Sequence, residues 1–156
     1  MSTATAAKKP RRPTSSLEQD AYLSLLRAAD ALARGAEEVT KPFGLSGTQY
    51  NILRILRGAG AQGLCCHEAA ERMLTHDPDI TRLLDRLERR GLIVRARASS
   101  DRRVITAQIT PEGLRILAKL DKPIEECHRR QFGHLGPRRL AQLIELLNSA
   151  RTRPQR

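Results

Sequence analysis

The stretch PDITRLLDRLERRGLIVRARASSDRRVITAQIT, residues 78–110, decides how this chain is expected to fold. In its first half, apolar residues recur at the three- and four-residue steps of an amphipathic helix. These residues are Ile80, Leu83, Leu84 and Leu87. Asp77 and Pro78 offer that helix an N-cap and a first-turn proline, and Gly91 offers a left-handed end. Two short extended runs then flank a turn over residues 98–102, so the stretch predicts a helix followed by a β-hairpin.

The outward face of the predicted helix is polar and rich in arginine. It carries Thr81, Arg82, Asp85, Arg86, Arg89 and Arg90. Residues 80–103 contain eight arginines against three acidic residues, and the whole chain of 156 residues has a net charge of +11. Seven surplus cations lie in the two tails, so the remainder of the chain is close to neutral. Positive charge concentrated on one element is typical of nucleic-acid binding.

The composition predicts a mainly α-helical protein with a small β-hairpin. Tryptophan is absent and aromatic residues make up 3% of the chain, so leucine, isoleucine and alanine must build the core. Leucine and alanine favour helices. A single domain is expected between a disordered basic arm and a basic tail. The expected parts are the arm at 1–14, the domain at 15–150 with its head at about 46–110 and its terminal helices at about 16–41 and 111–150, and the tail at 151–156.

Several classes of protein are not expected. No apolar run approaches the roughly 20 residues that span a bilayer, and the N-terminus lacks the apolar core of a secretory signal. Three cysteines, two of them adjacent, fit a reducing cytoplasm better than a disulfide framework. The glycine-rich run GAGAQG at 58–63 lacks the Lys-Ser/Thr of a phosphate-binding loop, and no C-x2-C zinc spacing occurs. We therefore expect no metal, nucleotide or other cofactor.

Three helices are predicted before the arginine-rich one. Apolar residues at helical spacing indicate a long first helix over about 17–39, with part of its alanine-rich face free for a subunit contact. Ser46 and Gln49 have the spacing of a capping box and start the second helix. A short third helix is expected over 67–74, with Cys66 as its N-cap.

Two further helices are predicted after the hairpin. Thr110 and Pro111 indicate the start of the first of them, and Pro123 is expected to kink or break it because proline cannot donate a helical hydrogen bond. A final helix follows Gly136 and Pro137. Its apolar residues, which we expect to be buried, are Leu140, Leu143, Ile144 and Leu147.

A short helix followed by one with a cationic face is the pattern of a helix-turn-helix. Its second helix would lie in the major groove of DNA, with its N-terminal residues near base edges. Arg82 and Arg86 lie one turn apart, and each can present its guanidinium to guanine. Thr81 can contact a thymine methyl group or a phosphate, and Arg89 and Arg90 are placed to neutralise phosphates. The alternative is a solvated surface helix, whose local ion pairs contribute only a few tenths of a kcal/mol each.

The turn after the predicted helix supplies a wing. Asp101 can accept hydrogen bonds that fix the tip, which leaves Arg102 and Arg103 free to enter the minor groove. Arginine suits that role because its guanidinium is planar, weakly hydrated and permanently charged.

The runs LLDRLERRGLIVR and SSDRRVITAQIT, followed by PEG, resemble the MarR family of bacterial transcription regulators. The resemblance covers about residues 17–147. It implies a homodimer in which the first, fifth and sixth helices interlock, with one winged helix-turn-helix head in each subunit. It also implies repression or activation through operator binding, usually relieved by a small ligand or by oxidation. By this resemblance, 78–90 is the recognition helix, Arg103 is the wing arginine and Asp101 is its partner.

The sequence leaves two alternatives for the signal that would switch such a regulator, a small ligand and the oxidation of a cysteine. Family members that sense phenolic compounds bind them between the dimer helices and the head. The residues that could line this crevice here are Tyr22, Leu26, Gln49, Tyr50 and Leu53, with ordinary core packing as the other interpretation. Cys66 is a second candidate, since a helix N-terminus favours a thiolate. However, peroxide-sensing members of the family carry their cysteine in the first helix, which has none here.

Two other functions were weighed against a sequence-specific regulator. A non-specific architectural DNA-binding protein would bind all sequences alike, whereas Thr81, Arg82 and Arg86 favour base readout. An enzyme would need Cys66 as nucleophile with His67 or His76 as base. No third orienting residue is apparent in the sequence, so we expect no enzymatic activity.

Overall fold

The computed structural model describes residues 16–74, 79–97 and 104–152. This part of the chain holds six α-helices and a three-stranded antiparallel sheet. The helices are α1 (Leu17–Thr40), α2 (Gly47–Ala59), α3 (Cys66–Glu71), α4 (Ile80–Arg89), α5 (Pro111–Phe132) and α6 (Gly136–Arg151). The strands are β1 (Leu64–Cys65), β2 (Ile93–Arg97) and β3 (Ile105–Ile109). The mainly helical class with a small β-hairpin is confirmed. In the described part, every helix is too short or too polar to cross a membrane.

The chain divides into two compact units, residues 1–32 and 33–156. The described part of the first unit is the N-terminal portion of α1, which begins where the Gln19 backbone N–H donates to Ser16 Oγ over 3.2 Å. In this unit large apolar side chains are exposed. They are Leu17, Tyr22, Leu23, Leu25 and Leu26.

The second unit is built on a leucine- and isoleucine-rich core. The side chains of Leu53 and Leu56 from α2, Leu84 from α4, and Leu117 and Leu120 from α5 are fully buried. Leu83 and Leu87 of α4 are buried as well, so the predicted apolar stripe of this helix is confirmed for its leucines, while Ile80 is half-buried against the core. Burial of one leucine side chain contributes roughly 2 kcal/mol, and this cluster fixes α4 on the body of the unit.

The sheet has β3 in the centre, with β1 and β2 as its edges. Ile93 of β2 is paired with Ile109 of β3, and Leu64 of β1 is paired with Ala107. The inward face of the sheet carries Ile93 and Ala107, both buried. Because β2 follows α4 through Gly91, which has a φ of 68°, the hairpin is anchored beside the end of that helix.

An ion pair joins α2 to α5 beside this core. Arg57 donates from Nη1 to Asp121 Oδ2 over 2.8 Å and from Nη2 to Oδ1 over 2.9 Å. The bidentate geometry fixes both side chains, and the Arg57 guanidinium holds the pKa of the Asp121 carboxyl below its usual value.

The predicted N-caps of α2 and α5 are confirmed, whereas α3 and α4 have their N-caps at other residues than predicted. Ser46 and Gln49 form the predicted capping box of α2. Thr110 caps α5 by accepting the Gly113 N–H over 3.1 Å. The N-cap of α3 is Cys65 and not Cys66, because Glu68, three residues after Cys65, completes the capping box. The short helix is therefore shifted from the predicted 67–74.

The start of α4 also differs from the prediction. Asp79 is the N-cap, and its Oδ1 accepts the Arg82 N–H over 3.1 Å. The helix begins at Ile80, while the predicted cap Asp77 and the predicted first-turn Pro78 lie outside the described residues. Asp77 and Asp79 are both residues that can cap a helix N-terminus, so the sequence alone did not distinguish them.

The C-terminal helices differ from the prediction in two respects. The break that was one of the two effects expected of Pro123 is absent, since Pro123 lies inside α5, where Leu120, Ile124 and Cys127 are buried on both sides of it. In α6 none of the four apolar residues expected to be buried is buried. Ile144 and Leu147 are 59% and 40% exposed, since the described part of the second unit does not cover this face.

Candidate DNA interface

Helix α4 presents an exposed cationic face along its length. Thr81, Arg82, Arg86 and Arg89 are all exposed. These side chains point outward because the leucines on the opposite face of α4 are buried, which fixes the rotation of the helix about its axis. Arg82 Nε lies 2.9 Å from Asp79 Oδ2 in a pair whose arginine side chain is 77% exposed. Such an exposed ion pair is weak, so the Arg82 guanidinium can leave the Asp79 carboxylate and bind a base edge or a phosphate.

Two other residues of the predicted DNA-binding set are engaged within the head. Arg90 donates from Nη1 to the Gly44 carbonyl over 2.5 Å and from Nη2 to the Phe43 carbonyl over 3.0 Å. Asp85 Oδ1 lies 2.6 Å from Arg95 Nη2. Arg90 therefore ties the end of α4 to the connection after α1, and Asp85 faces the hairpin. Their roles in DNA binding remain predictions.

The sequence interpretation missed Arg95 as a partner of α4. Its side chain bonds to Glu88 as well as Asp85, and it is the least exposed member of the three. The Arg95 guanidinium holds the pKa of Glu88 below its usual value. One signal was available: β-strand alternation places Arg95 on the same face as buried Ile93, where a lone cation needs a carboxylate.

The tip of the wing lies outside the described residues. The last pair of the hairpin joins Arg97 to Ile105, and the predicted wing residues Asp101, Arg102 and Arg103 belong to the segment between them. The turn predicted over 98–102 also lies outside the described residues. The roles of these three residues in DNA binding remain predictions.

A cavity of about 380 Å³ opens among the C-terminal part of α1, α2 and α5. Tyr50, Arg54 and His128 are among its lining residues. The Arg54 guanidinium lies 5.7 Å from the centre of the Tyr50 ring, within cation–π range. Burial raises the pKa of the Tyr50 hydroxyl above its usual value. The cavity thus offers an aromatic ring, a hydroxyl and a cation to a small molecule.

The structure narrows the predicted set of ligand-binding residues. Tyr50 lines the cavity, whereas Leu53 is fully buried in the core. Gln49 uses its side-chain oxygen to accept the Ser46 N–H in the capping box of α2. Tyr22 and Leu26 belong to the unit of residues 1–32 and are exposed there.

The cysteine candidate occupies a different position from the one predicted. Cys66 is the first residue of α3 and packs, half-buried, against the hydrophobic core. Cys65 caps the helix, and Glu68 accepts the Cys65 N–H over 3.1 Å. Within the described ranges, no three His, Cys, Asp or Glu side chains come together as a metal site.

The fold and this surface define a class of protein. A helix-turn-helix formed by α3 and α4, followed directly by a β-hairpin and carrying exposed arginines, is a winged helix-turn-helix head for DNA.

The comparisons with known proteins identify the family. The sequence profile of the MarR family matches residues 43–104. The homoprotocatechuate degradative operon repressor of Escherichia coli is 30% identical over 125 residues, which are 80% of this chain and 83% of that one. The crystal structure of a MarR transcription factor from Planctomyces limnophilus is 43% identical, with a TM-score of 0.66 over 86% of this chain and 98% of that one. The chain belongs to the MarR family of transcriptional regulators.

A third relative is known with a small molecule bound. CouR from Rhodococcus jostii RHA1, in a crystal structure with p-coumaroyl-CoA, is 26% identical, with a TM-score of 0.76. The match covers 92% of this chain and 99% of that one.

Proposed function

We propose that this protein is a homodimeric transcriptional repressor that binds a pseudo-palindromic operator and releases it when a small molecule binds. The observation that carries the proposal is the exposed Thr81, Arg82 and Arg86 face of α4, held outward by a buried leucine stripe. Two heads related by a two-fold axis would read two half-sites about one DNA turn apart. The repressor name of the Escherichia coli relative favours repression over activation.

The wild-type protein should separate specific from non-specific DNA in a salt titration. Binding is measured to the palindrome beside its own gene and to a random duplex of equal length. Both affinities should fall steeply with salt, because cationic side chains release counterions from phosphates. The palindrome should bind more tightly by several kcal/mol at every salt concentration. Equal affinities would instead indicate an architectural DNA-binding protein.

The exposed apolar face of α6 supports assembly with a second copy of this chain. Ile144 and Leu147, three residues apart on the same side of this helix, are exposed. In the first unit, α1 has exposed leucines of its own. Large apolar side chains exposed in this way are unfavourable in water and mark an interaction site. A second copy of this chain would cover this apolar face and would also supply the second DNA-binding head.

Ile144→Asp is expected to convert the dimer to a monomer. A carboxylate placed in an apolar interface loses hydration without gaining a partner, which costs several kcal/mol. Sedimentation velocity measures the mass directly. Ser149→Asp, at an exposed position of the same helix, is the matched control and should remain dimeric. A dimer that survives Ile144→Asp would remove this face of α6 from the proposed interface.

We propose the cavity of α1, α2 and α5 as the effector site. An aromatic acid fits its chemistry, with the ring against Tyr50 and the carboxylate toward Arg54. The aromatic acyl group of the molecule bound by CouR supports this class of ligand. The half-buried packing of Cys66 gives less support to the redox alternative.

A further inference from the structure

The free edge of β2 is capped by a side chain of the recognition helix. Because β3 lies in the centre of the sheet, no strand from the described part of the chain neighbours the other side of β2. On that side the backbone N–H of Arg95 donates to Glu88 Oε1 over 3.0 Å. An edge N–H is normally left to water, so this contact ties the backbone of the wing to α4.

The side chain of Arg95 strengthens the same link. Its Nε donates to Glu88 Oε2 over 2.9 Å and its Nη2 to the same oxygen over 2.6 Å. Nη2 also lies 2.6 Å from Asp85 Oδ1. The side chain of Arg95 is 25% exposed, so these charge-assisted bonds are partly shielded from solvent. Two carboxylates one helical turn apart thus hold one guanidinium at the root of the hairpin.

This cluster is unfavourable for DNA binding if only charge is considered. Asp85 and Glu88 exceed Arg95 by one negative charge, and they lie on the helix whose arginines face DNA. A net negative charge near phosphates weakens attraction. A structural role has to offset that repulsion.

We propose that Glu88 and Arg95 are positioning residues that lock the wing to the recognition helix, so that both contact DNA as one rigid unit. The inference rests on the proposed function, since it assumes that α4 and the wing bind the operator together. Without the lock, each element must be ordered separately on the DNA, and that loss of conformational freedom weakens binding.

Glu88→Gln tests the lock because charge and positioning predict opposite results. The variant removes a negative charge from the head, so electrostatics alone predicts tighter DNA binding. The lock predicts operator binding weaker by about tenfold, the loss expected for a charge-assisted hydrogen-bond pair. Glu112→Gln is the matched control, since Glu112 pairs with Arg115 on α5 and its loss changes the net charge equally. It should bind at least as tightly as wild type.

Arg95→Lys provides a second, charge-neutral variant. Lysine keeps the cation but lacks the fork that bonds Glu88 and Asp85 together. Operator affinity should again fall by about tenfold, with the same dependence on salt as wild type, because no phosphate contact is lost. A salt slope reduced by about one would mean that Arg95 itself neutralises a phosphate, which would overturn the lock.

Three outcomes separate the lock from the proposed function. Thermal unfolding first establishes that each variant is folded at the temperature of the binding assay. If wild type discriminates operator from random DNA while Glu88→Gln and Arg95→Lys bind like wild type, the lock is refuted alone. If wild type does not discriminate, the proposed function is refuted. Weaker operator binding by both folded variants, with unchanged salt slope, supports both.

Discussion

Arg82→Ala is expected to abolish most of the preference of this protein for its operator over random DNA. Arg82 is exposed in the first turn of α4, where its weak pair with Asp79 leaves the guanidinium available. A bidentate contact to guanine contributes about 1–3 kcal/mol of discrimination. A dimer loses that contact twice, so operator affinity should fall at least tenfold while random-DNA affinity changes little. Fluorescence anisotropy with both duplexes at one salt concentration measures the difference.

Arg89→Ala is the matched control for this experiment. Arg89 is exposed on the same helix, of which it is the last residue, so it lies about two turns from Arg82. A phosphate contact carries no sequence information, so its loss should weaken binding to both duplexes about equally and reduce the salt slope by about one. If Arg82→Ala behaves like Arg89→Ala, the assignment of Arg82 to base readout is wrong.

Gly63→Ala is expected to destabilise the fold by about 3 kcal/mol or more, the upper range for single substitutions. Gly63 precedes β1 with φ 65° and ψ −166°, a conformation that is open to glycine and strained for other residues. An added Cβ would also lie 2.4 Å from the Ala107 carbonyl oxygen of β3. Strand β3 cannot retreat, because it is paired with β2 on its other side.

Gly58→Ala provides the control for Gly63→Ala. Gly58 lies inside α2, and nothing is within 4 Å of a Cβ added there. Alanine favours the helical conformation, so stability should be unchanged or higher by up to about 1 kcal/mol. Urea denaturation followed by circular dichroism, at one fixed protein concentration, gives both free energies of unfolding. Equal stabilities of the two variants would refute the strain assigned to Gly63.

The fold class was predictable because its signals are local in sequence. The leucine spacing of α4 defined its buried face, and Ser46 with Gln49 defined the start of α2 through contacts three residues apart. Thr110 likewise defined the start of α5. The two capping errors, Cys66 for Cys65 and Asp77 for Asp79, arose where neighbouring positions offered similar chemistry.

The candidate DNA interface was predictable only in part. Sequence periodicity identifies which arginines point outward from α4, but it does not identify their partners. Arg90 bonds a carbonyl 46 positions away, at Gly44. Arg95 bonds Glu88 across the junction between a helix and a strand. Charge counting therefore did not reveal the contact of Arg90 with Gly44 or the cluster around Arg95.

The sequence by itself determined the order of the helices and strands, the leucine face that α4 buries and the arginine face that it exposes. These follow from the periodicity of the backbone and from contacts within one turn. The tertiary structure alone decided that α5 continues through Pro123, that Leu53 is core, and that Glu88 joins Arg95. Each of these depends on packing between segments distant in sequence, whose distances a local pattern does not encode.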